Sequence, residues 1–177
     1  SMTSYGHACT FADYACVPIN STNLFKDVPS MLMRSDGPLS IDFFYMIKNI
    51  NWALRFLRNS SRNNVNKISE ALGNILKSAS VSYDEIFSDV EVSSYIRNEE
   101  AIYLYKNEIA YLNAKRANAI RKKNGVETQI LSQNDVLDLE PNLAPVFHNG
   151  QLFIGSRHTN NPSAISKKIF DSFINSG

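Results

Sequence analysis

The 177-residue chain contains only two cysteines, Cys9 and Cys16. Their spacing fits neither a C-x-x-C redox pair nor half of a zinc site, and two cysteines are too few for the disulfide framework of a small secreted protein. The N-terminus also lacks the basic, then apolar, then small-residue order of a signal peptide. We therefore expect a cytoplasmic protein with reduced thiols.

Long apolar runs and an excess of one charge are also missing. Charged side chains interrupt the most hydrophobic region, between Met31 and Arg58, so that no run approaches the roughly 20 apolar residues of a membrane span. The 18 Lys and Arg residues nearly balance the 17 Asp and Glu residues. A balanced charge gives no general attraction for polyanions. We expect no membrane span, no nucleic-acid partner and little affinity for membrane surfaces.

The short motifs of self-contained chemistry are absent. The sequence has no G-x-G-x-x-G, no G-x-x-x-x-G-K-[ST], no G-x-S-x-G and no H-E-x-x-H. Its three histidines, His7, His148 and His158, are far apart, and none has a second candidate ligand at helical spacing. We assign no catalytic residue and no metal site.

What is present is the composition of one globular domain, 44% hydrophobic and 20% charged. Ser1 and Met2 are interpreted as a tag remnant and a start methionine, so that the domain is expected to occupy residues 3–177. The residue patterns divide the domain into three parts. Turn residues dominate the first part, helical periodicity dominates the second, and both helical and strand periodicities occur in the third. The predicted parts are loop with one short helix (at 22–33) over 3–38, helices over 40–95, and helices with strands over 99–177.

Helices are predicted in the first half from apolar residues at three- and four-residue steps. One amphipathic helix begins at Ile41 and reaches Arg58, and we expect its Trp52 to be buried, since an aromatic residue in so hydrophobic a helix usually belongs to the core. Two further helices are predicted at 64–79 and from Ser82 to Val90.

In the second half the period changes to two, which indicates a half-buried strand over 101–105. Asn107 is a helix cap and Asn124-Gly125 a helix stop, and Ser132 with Asp135 resembles a capping box. Further strands are predicted at 127–131 and 151–154, and Asn161-Pro162 opens a last helix. The fold class is therefore α+β, a helical N-terminal half followed by a small mixed or antiparallel sheet with packed helices.

A basic cluster lies on the helix predicted after Asn107. It comprises Lys115, Arg116, Arg121, Lys122 and Lys123. Cations near the C-terminal end of a helix are favoured by its dipole, so we expect this cluster to be a solvated face rather than a binding site.

Six short segments follow one another along almost the whole chain. They are Thr3-Ser4-Tyr5-Gly6-His7-Ala8, Ser35-Asp36-Gly37-Pro38-Leu39, Trp52-Ala53-Leu54-Arg55-Phe56-Leu57, Ala101-Ile102-Tyr103-Leu104-Tyr105, Leu139-Glu140-Pro141-Asn142-Leu143, and Gly150 to Gly155 with Asn161-Pro162. In this order the segments resemble elements of the D-amino-acid dehydrogenase branch of the glycine/D-amino-acid oxidase family, which consists of FAD-dependent oxidoreductases.

The resemblance implies a substrate domain that covers a flavin and shapes specificity for a D-amino acid. It implies cofactor contacts at Ser4, Tyr5, Gly6 and His7, although the family pattern has Asn and Gly where this chain has His7 and Cys9. Because the chain lacks the G-x-G-x-x-G turn that anchors the pyrophosphate of FAD, we expect it to bind no FAD and to be inactive alone.

Four residues are candidates for substrate binding. Tyr103 and Tyr105 project from one face of a predicted strand and can line a pocket, and His158 with Arg157, on a predicted loop, can contact a carboxylate. The alternative for each is ordinary packing or solvation. For the whole chain, the alternative is a free-standing interaction or small-molecule-binding domain that has lost flavin. In either case we expect exposed sheet edges to favour a homodimer.

Overall fold

The computed structural model of the chain describes residues 9–19 and 43–176. Within them lie six strands, six α-helices and one 3-10 turn. In chain order these are β1 (Thr10–Phe11), α1 (Phe43–Lys48), α2 (Ile50–Asn59), α3 (Arg62–Asp89), the 3-10 turn (Ser93–Tyr95), β2 (Ile96–Arg97), β3 (Ala101–Tyr105), α4 (Glu108–Lys123), β4 (Thr128–Leu131), α5 (Gln133–Leu139), β5 (Asn149–Phe153), β6 (Arg157–Thr159) and α6 (Pro162–Asn175). The predicted α+β class is confirmed. The helix predicted at 22–33 lies outside the described residues.

The strands form two antiparallel three-stranded sheets, one in the order β1-β6-β2 and the other in the order β3-β5-β4. In the second sheet Gln151 of β5 lies between Tyr103 of β3 and Ile130 of β4. The sequence predicts one small sheet where the structure has two. Three of the strands in the structure have only two or three residues, too few to produce an alternating pattern.

Side-chain caps set the helix boundaries of the second half. The side chain of Asn107 accepts a hydrogen bond from the Ala110 backbone N–H at 2.9 Å, and that of Asn161 accepts one from Ala164 at 3.0 Å. Ser132 and Asp135 form the complete capping box at the start of α5. These predicted helix starts are confirmed.

Two helix boundaries in the first half were predicted wrongly. The helix predicted from Ile41 to Arg58 is divided at Asn49, whose side-chain amide donates to the Tyr45 carbonyl at 2.9 Å and ends α1. The two helices predicted at 64–79 and from Ser82 are instead one helix of 28 residues, α3. The residues between them are Ser80 and Val81, which do not break a helix as glycine or proline would.

Two apolar clusters form the core. Phe87 of α3, Val92 and Ile165 of α6 pack together beside the first sheet. Leu131, Val136 of α5 and Phe147 pack beneath the second sheet. The second sheet therefore has α5 on one face, which leaves its other face for α4.

Trp52 was expected in the core, but its side chain is 65% exposed. It lies on α2, which has no buried residue at all. Apolar periodicity indicates an apolar face, but it does not show whether another part of the chain covers that face. No helix within residues 43–176 is long and apolar enough to cross a bilayer.

Candidate functional site

Tyr103 and Tyr105 lie on the same face of β3, as their two-residue spacing predicts. Tyr105 is buried, whereas 40% of Tyr103 remains exposed. The face that they share is the face toward α4, so that both rings come close to side chains of that helix.

The Tyr105 hydroxyl belongs to a polar network. It donates to the side-chain carbonyl oxygen Oε1 of Gln151 at 2.9 Å and accepts from Nδ2 of Asn118 on α4 at 3.1 Å. Asn118 also donates to the same oxygen of Gln151. Because Gln151 is only 2% exposed, these bonds satisfy polar atoms that water cannot reach.

Arg121 extends this network toward the N-terminal segment. Its Nη1 donates to Oδ1 of Asn118 at 2.8 Å, and its Nε donates to the backbone carbonyl of Tyr14 at 3.3 Å. Its guanidinium carbon lies 5.6 Å from the ring centroid of Tyr103 and 5.3 Å from that of Phe153. For Arg121 the predicted solvated face is therefore wrong, since the side chain is partly buried against aromatic rings.

The rings around this guanidinium also contact one another. Tyr14 stacks on Phe153 with centroids 4.3 Å apart and meets Tyr103 edge-on at 5.6 Å. Tyr103 contacts Phe153 at 4.6 Å. We call this group of five side chains, Tyr14, Tyr103, Asn118, Arg121 and Phe153, the Arg121 cluster.

Two titratable groups near Arg121 have raised pKa values, because the effect of burial outweighs that of the Arg121 charge. Burial raises the pKa of the Tyr14 hydroxyl, and the nearby Tyr103 raises it further, while the positive charge of Arg121 acts in the opposite direction. Burial likewise raises the pKa of the Cys16 thiol against the opposing effect of Arg121. Cys16 is therefore not an activated nucleophile, since the thiolate is the reactive form.

A cavity of about 440 Å³ lies beside Tyr14, between α3 and the turn that follows β5. A larger space of about 780 Å³ lies between α4 and strands β4 and β5. Asn118 and Gln151 of the polar network line the larger space, together with Lys115, Lys122 and Ile130. The size of both spaces is within the range of small-molecule sites.

Arg157 and His158 were predicted on a loop, but they lie in β6, the middle strand of the first sheet. The loop prediction was wrong because a three-residue strand is recognised only through its partners. Arg157 forms an ion pair with Asp84 of α3 and donates to the Ser80 hydroxyl at 3.2 Å, which ties the sheet to that helix. Nε2 of His158 lies 3.6 Å from Oε2 of Glu99.

The four substrate-binding candidates are therefore divided between two sheets, with the tyrosine pair in one and Arg157 with His158 in the other. Contact of either pair with a substrate stays a prediction. The residues for which the resemblance implies cofactor contacts, Ser4, Tyr5, Gly6 and His7, lie outside the described residues. In the part of the chain that the structure describes, no three His, Cys, Asp or Glu side chains are grouped as metal ligands.

Sequence reasoning missed most of the Arg121 cluster. Tyr14 is in a segment without periodicity, and Asn118 and Arg121 are in a helix whose polar residues look solvated. One signal was available, because Gln151 stands among apolar residues in a predicted strand. A polar side chain in such a position needs a buried partner.

Two comparisons connect the chain to known proteins. It is 25% identical over 175 residues to a D-amino-acid oxidase of Bradyrhizobium diazoefficiens, a match that covers 98% of this chain but 41% of the oxidase. The structure resembles glycine oxidase from Geobacillus kaustophilus with a TM-score of 0.51 at 12% identity, over 98% of this chain and 35% of that protein. The second likeness shows the fold alone.

An L-α-glycerophosphate oxidase of Mycoplasma pneumoniae with FAD bound has a TM-score of 0.37 at 22% identity, over 42% of this chain and 20% of that protein. No protein-family model matches the chain. The resemblance to D-amino-acid and glycine oxidases that the motifs indicate is confirmed by the curated relative. The chain spans about two fifths of the length of that relative.

Proposed function

We propose that these residues form the substrate-side part of an FAD-dependent amino-acid oxidoreductase. The observation that carries the proposal is the match to a D-amino-acid oxidase along 98% of the chain. The antiparallel sheet with one partly exposed tyrosine supports it, because such a surface can form the wall of a substrate cavity. In the intact family a bound flavin would accept the hydride. The residues of this chain bind and orient the amino acid.

Each candidate has a distinct role in this proposal. Tyr103 presents the exposed part of its ring to the substrate, while the Arg121 cluster fixes the orientation of that ring. Tyr105, held by Gln151, is a positioning residue behind the wall. His158, whose side chain is 36% exposed, contacts the substrate carboxylate. Arg157 also binds the substrate carboxylate if that carboxylate replaces Asp84 as the ion-pair partner.

We further propose that the 177 residues neither hold FAD nor oxidise amino acids by themselves. They contain no G-x-G-x-x-G turn, which is the main anchor for the pyrophosphate of FAD. The test mixes the purified chain with FAD, removes free FAD by gel filtration, and records visible absorbance and D-amino-acid oxidation. We expect a colourless, inactive protein. A yellow protein that reduces a dye with a D-amino acid contradicts this part of the proposal.

The second candidate function is a free-standing domain that binds a small molecule without flavin. The space of about 780 Å³ beside Asn118 and Gln151 favours it. A colourless chain fits both candidates, so the absorbance test alone does not separate them. They are separated by joining the chain to the FAD-binding parts of an oxidase and testing whether amino acids reduce the flavin.

A cytoplasmic location and a homodimer are parts of the same proposal. β3 and β4 are the outer strands of their sheet, and outer strands can pair with another chain. We expect a concentration-dependent dimer on gel filtration with light scattering. A monomer at every concentration contradicts the dimer and leaves the proposed function standing.

A further inference from the structure

The helix pair α1 and α2 exposes more large apolar side chains than any function proposed above requires. Six of them are between 43% and 86% exposed: Phe44, Ile47, Ile50, Trp52, Leu54 and Leu57. We call these six side chains the α1–α2 apolar face. Contiguous exposed apolar surface of this kind usually marks an interaction site.

Within α2 the apolar and polar side chains are completely separated. At about 100° per residue, its apolar residues occupy an arc of roughly 200°, and the remaining arc holds the two arginines and two asparagines. The arginines are Arg55 and Arg58, both exposed. The ring of Trp52 stacks on Phe56 with centroids 5.3 Å apart, so that a flat aromatic surface lies within the apolar arc.

The segment that contains this face, between Asp42 and Glu70, is rich in cations. Residues 43–69 carry five cations and no Asp or Glu, although the whole chain has a net charge of only +1. The cations are Lys48, Arg55, Arg58, Arg62 and Lys67. The overall charge balance that argues against polyanion binding therefore hides a strongly positive segment at the apolar face.

We propose that the α1–α2 apolar face binds the surface of an anionic lipid bilayer. A helix with Trp, Phe and Leu on one side and Lys or Arg on the other, and with low net hydrophobicity, lies in the bilayer interface rather than across it. Its apolar residues enter the boundary between headgroups and acyl chains, and its cations contact anionic headgroups. Binding of this kind agrees with the absence of a spanning helix among residues 43–176.

A second copy of the chain and another segment of a longer protein are the other ways to cover this face. Charge favours the bilayer over a second copy, because a two-fold contact would bring two segments with five cations each together. Like charges placed opposite one another oppose association. An anionic surface instead attracts these cations.

Trp52 is the only tryptophan of the chain and lies on the proposed surface, so that its fluorescence reports binding directly. The purified chain is titrated with vesicles of phosphatidylcholine alone and of phosphatidylcholine with phosphatidylglycerol. We expect a blue shift of the emission and co-flotation with the anionic vesicles only, weakened by added salt.

Two variants separate the contributions of charge and apolar contact. Arg55→Glu with Arg58→Glu is expected to lower the affinity for anionic vesicles about tenfold or more. Leu54→Ser with Leu57→Ser should abolish co-flotation. As a matched control, Lys122→Glu with Lys123→Glu removes two exposed cations from α4, and we expect it to bind as the unmodified chain does.

Three outcomes overturn the proposal. The first is equal binding to neutral and anionic vesicles, and the second is a Trp52 blue shift that depends on protein concentration without vesicles, which indicates self-association. The third is no shift and no flotation with either vesicle, the result expected if another segment of a longer protein covers the face. Circular dichroism of each variant checks that it keeps its helices. None of these outcomes bears on amino-acid oxidation, so the proposed function is tested separately.

Discussion

Arg121 of α4 lies with its guanidinium carbon 5.3 Å from the ring centroid of Phe153, a fully buried residue of the central strand β5. The same guanidinium holds Asn118 and the backbone of Tyr14 by hydrogen bonds. One side chain thus joins the N-terminal segment, the helix and the sheet. The ring of Tyr103, the proposed contact with substrate, also packs against this guanidinium.

Replacing Arg121 tests how much these contacts contribute to the stability of the fold. Arg121→Met keeps most of the volume but removes the donors to Asn118 and Tyr14 and the cation over two rings. We expect a loss of about 1–3 kcal/mol in the free energy of unfolding, because partly buried acceptors lose their partners. Urea denaturation measures the change. Lys123→Met, exposed on the same helix, should change stability by less than about 0.5 kcal/mol, and an equal loss in both variants contradicts the account.

Among the aromatic residues of the sheet, Phe153 is predicted to contribute most to the free energy of unfolding. Phe153→Ala should destabilise the chain by about 3–5 kcal/mol, since it leaves a cavity under Tyr14 and Tyr103. Phe173→Ala, at a position 75% exposed on α6, is the matched control and is expected to be near neutral. Thermal and urea unfolding of the two variants are compared, and a small effect at Phe153 would show that the cluster is not packed as described.

Gly150 allows a test of the packing on the opposite face of β5, the strand that contains Phe153. A Cβ at Gly150 would come within 2.7 Å of Cγ2 of Val136 on α5. Gly150→Ala should therefore cost about 1–3 kcal/mol through overpacking. In the double variant with Val136→Ala the clash with Val136 disappears, although Cγ2 of Ile102 stays at 3.2 Å. The combined loss should therefore be smaller than the sum of the two single losses. Strict additivity would place α5 elsewhere.

The capping box of α5 predicts a pH dependence. The hydrogen bond from the Ser132 hydroxyl, followed by that from its backbone N–H, lowers the pKa of Asp135 in the folded chain below the unfolded value of about 3.9. The stabilisation is complete above the unfolded pKa and is lost as the pH falls through the lower folded pKa. Asp135→Asn should therefore be less stable than the unmodified chain at neutral pH, and the difference should vanish in strong acid.

Asp138→Asn is the control for that experiment. It removes the same charge from the other end of α5, where the helix dipole does not favour a carboxylate. We expect no loss of stability at neutral pH, as followed by thermal unfolding. A loss equal to that of Asp135→Asn would show that net charge, rather than the cap, is responsible.

The parts of the fold that depend on neighbouring residues could be predicted from the sequence. The caps at Asn107, Ser132 and Asn161 are set by residues three positions away, so that each helix start is visible locally. The break at Asn49 is also local, but it depends on a side chain folding back onto Tyr45, which an asparagine does only in some contexts.

Contacts between distant residues could not be predicted in this way. The hydrogen bond from Arg121 to the Tyr14 carbonyl joins residues 107 positions apart. Because of this contact Arg121 stabilises the fold, whereas the sequence predicts a solvated cation. β6 is a strand only because β1 and β2 flank it. The exposure of Trp52 has a related cause, since periodicity predicts an apolar face without its partner.

The most direct test of the central claim is amino-acid oxidation by a chimera. Residues 3–177 replace the segment of the D-amino-acid oxidase with which they align, so that the oxidase supplies the FAD-binding parts. The measurement is the loss of flavin absorbance when a panel of D-amino acids is added without oxygen. The account predicts a yellow chimera whose flavin at least one D-amino acid reduces. A chimera that folds and holds FAD, but whose flavin no amino acid reduces, contradicts a substrate-side role for this chain.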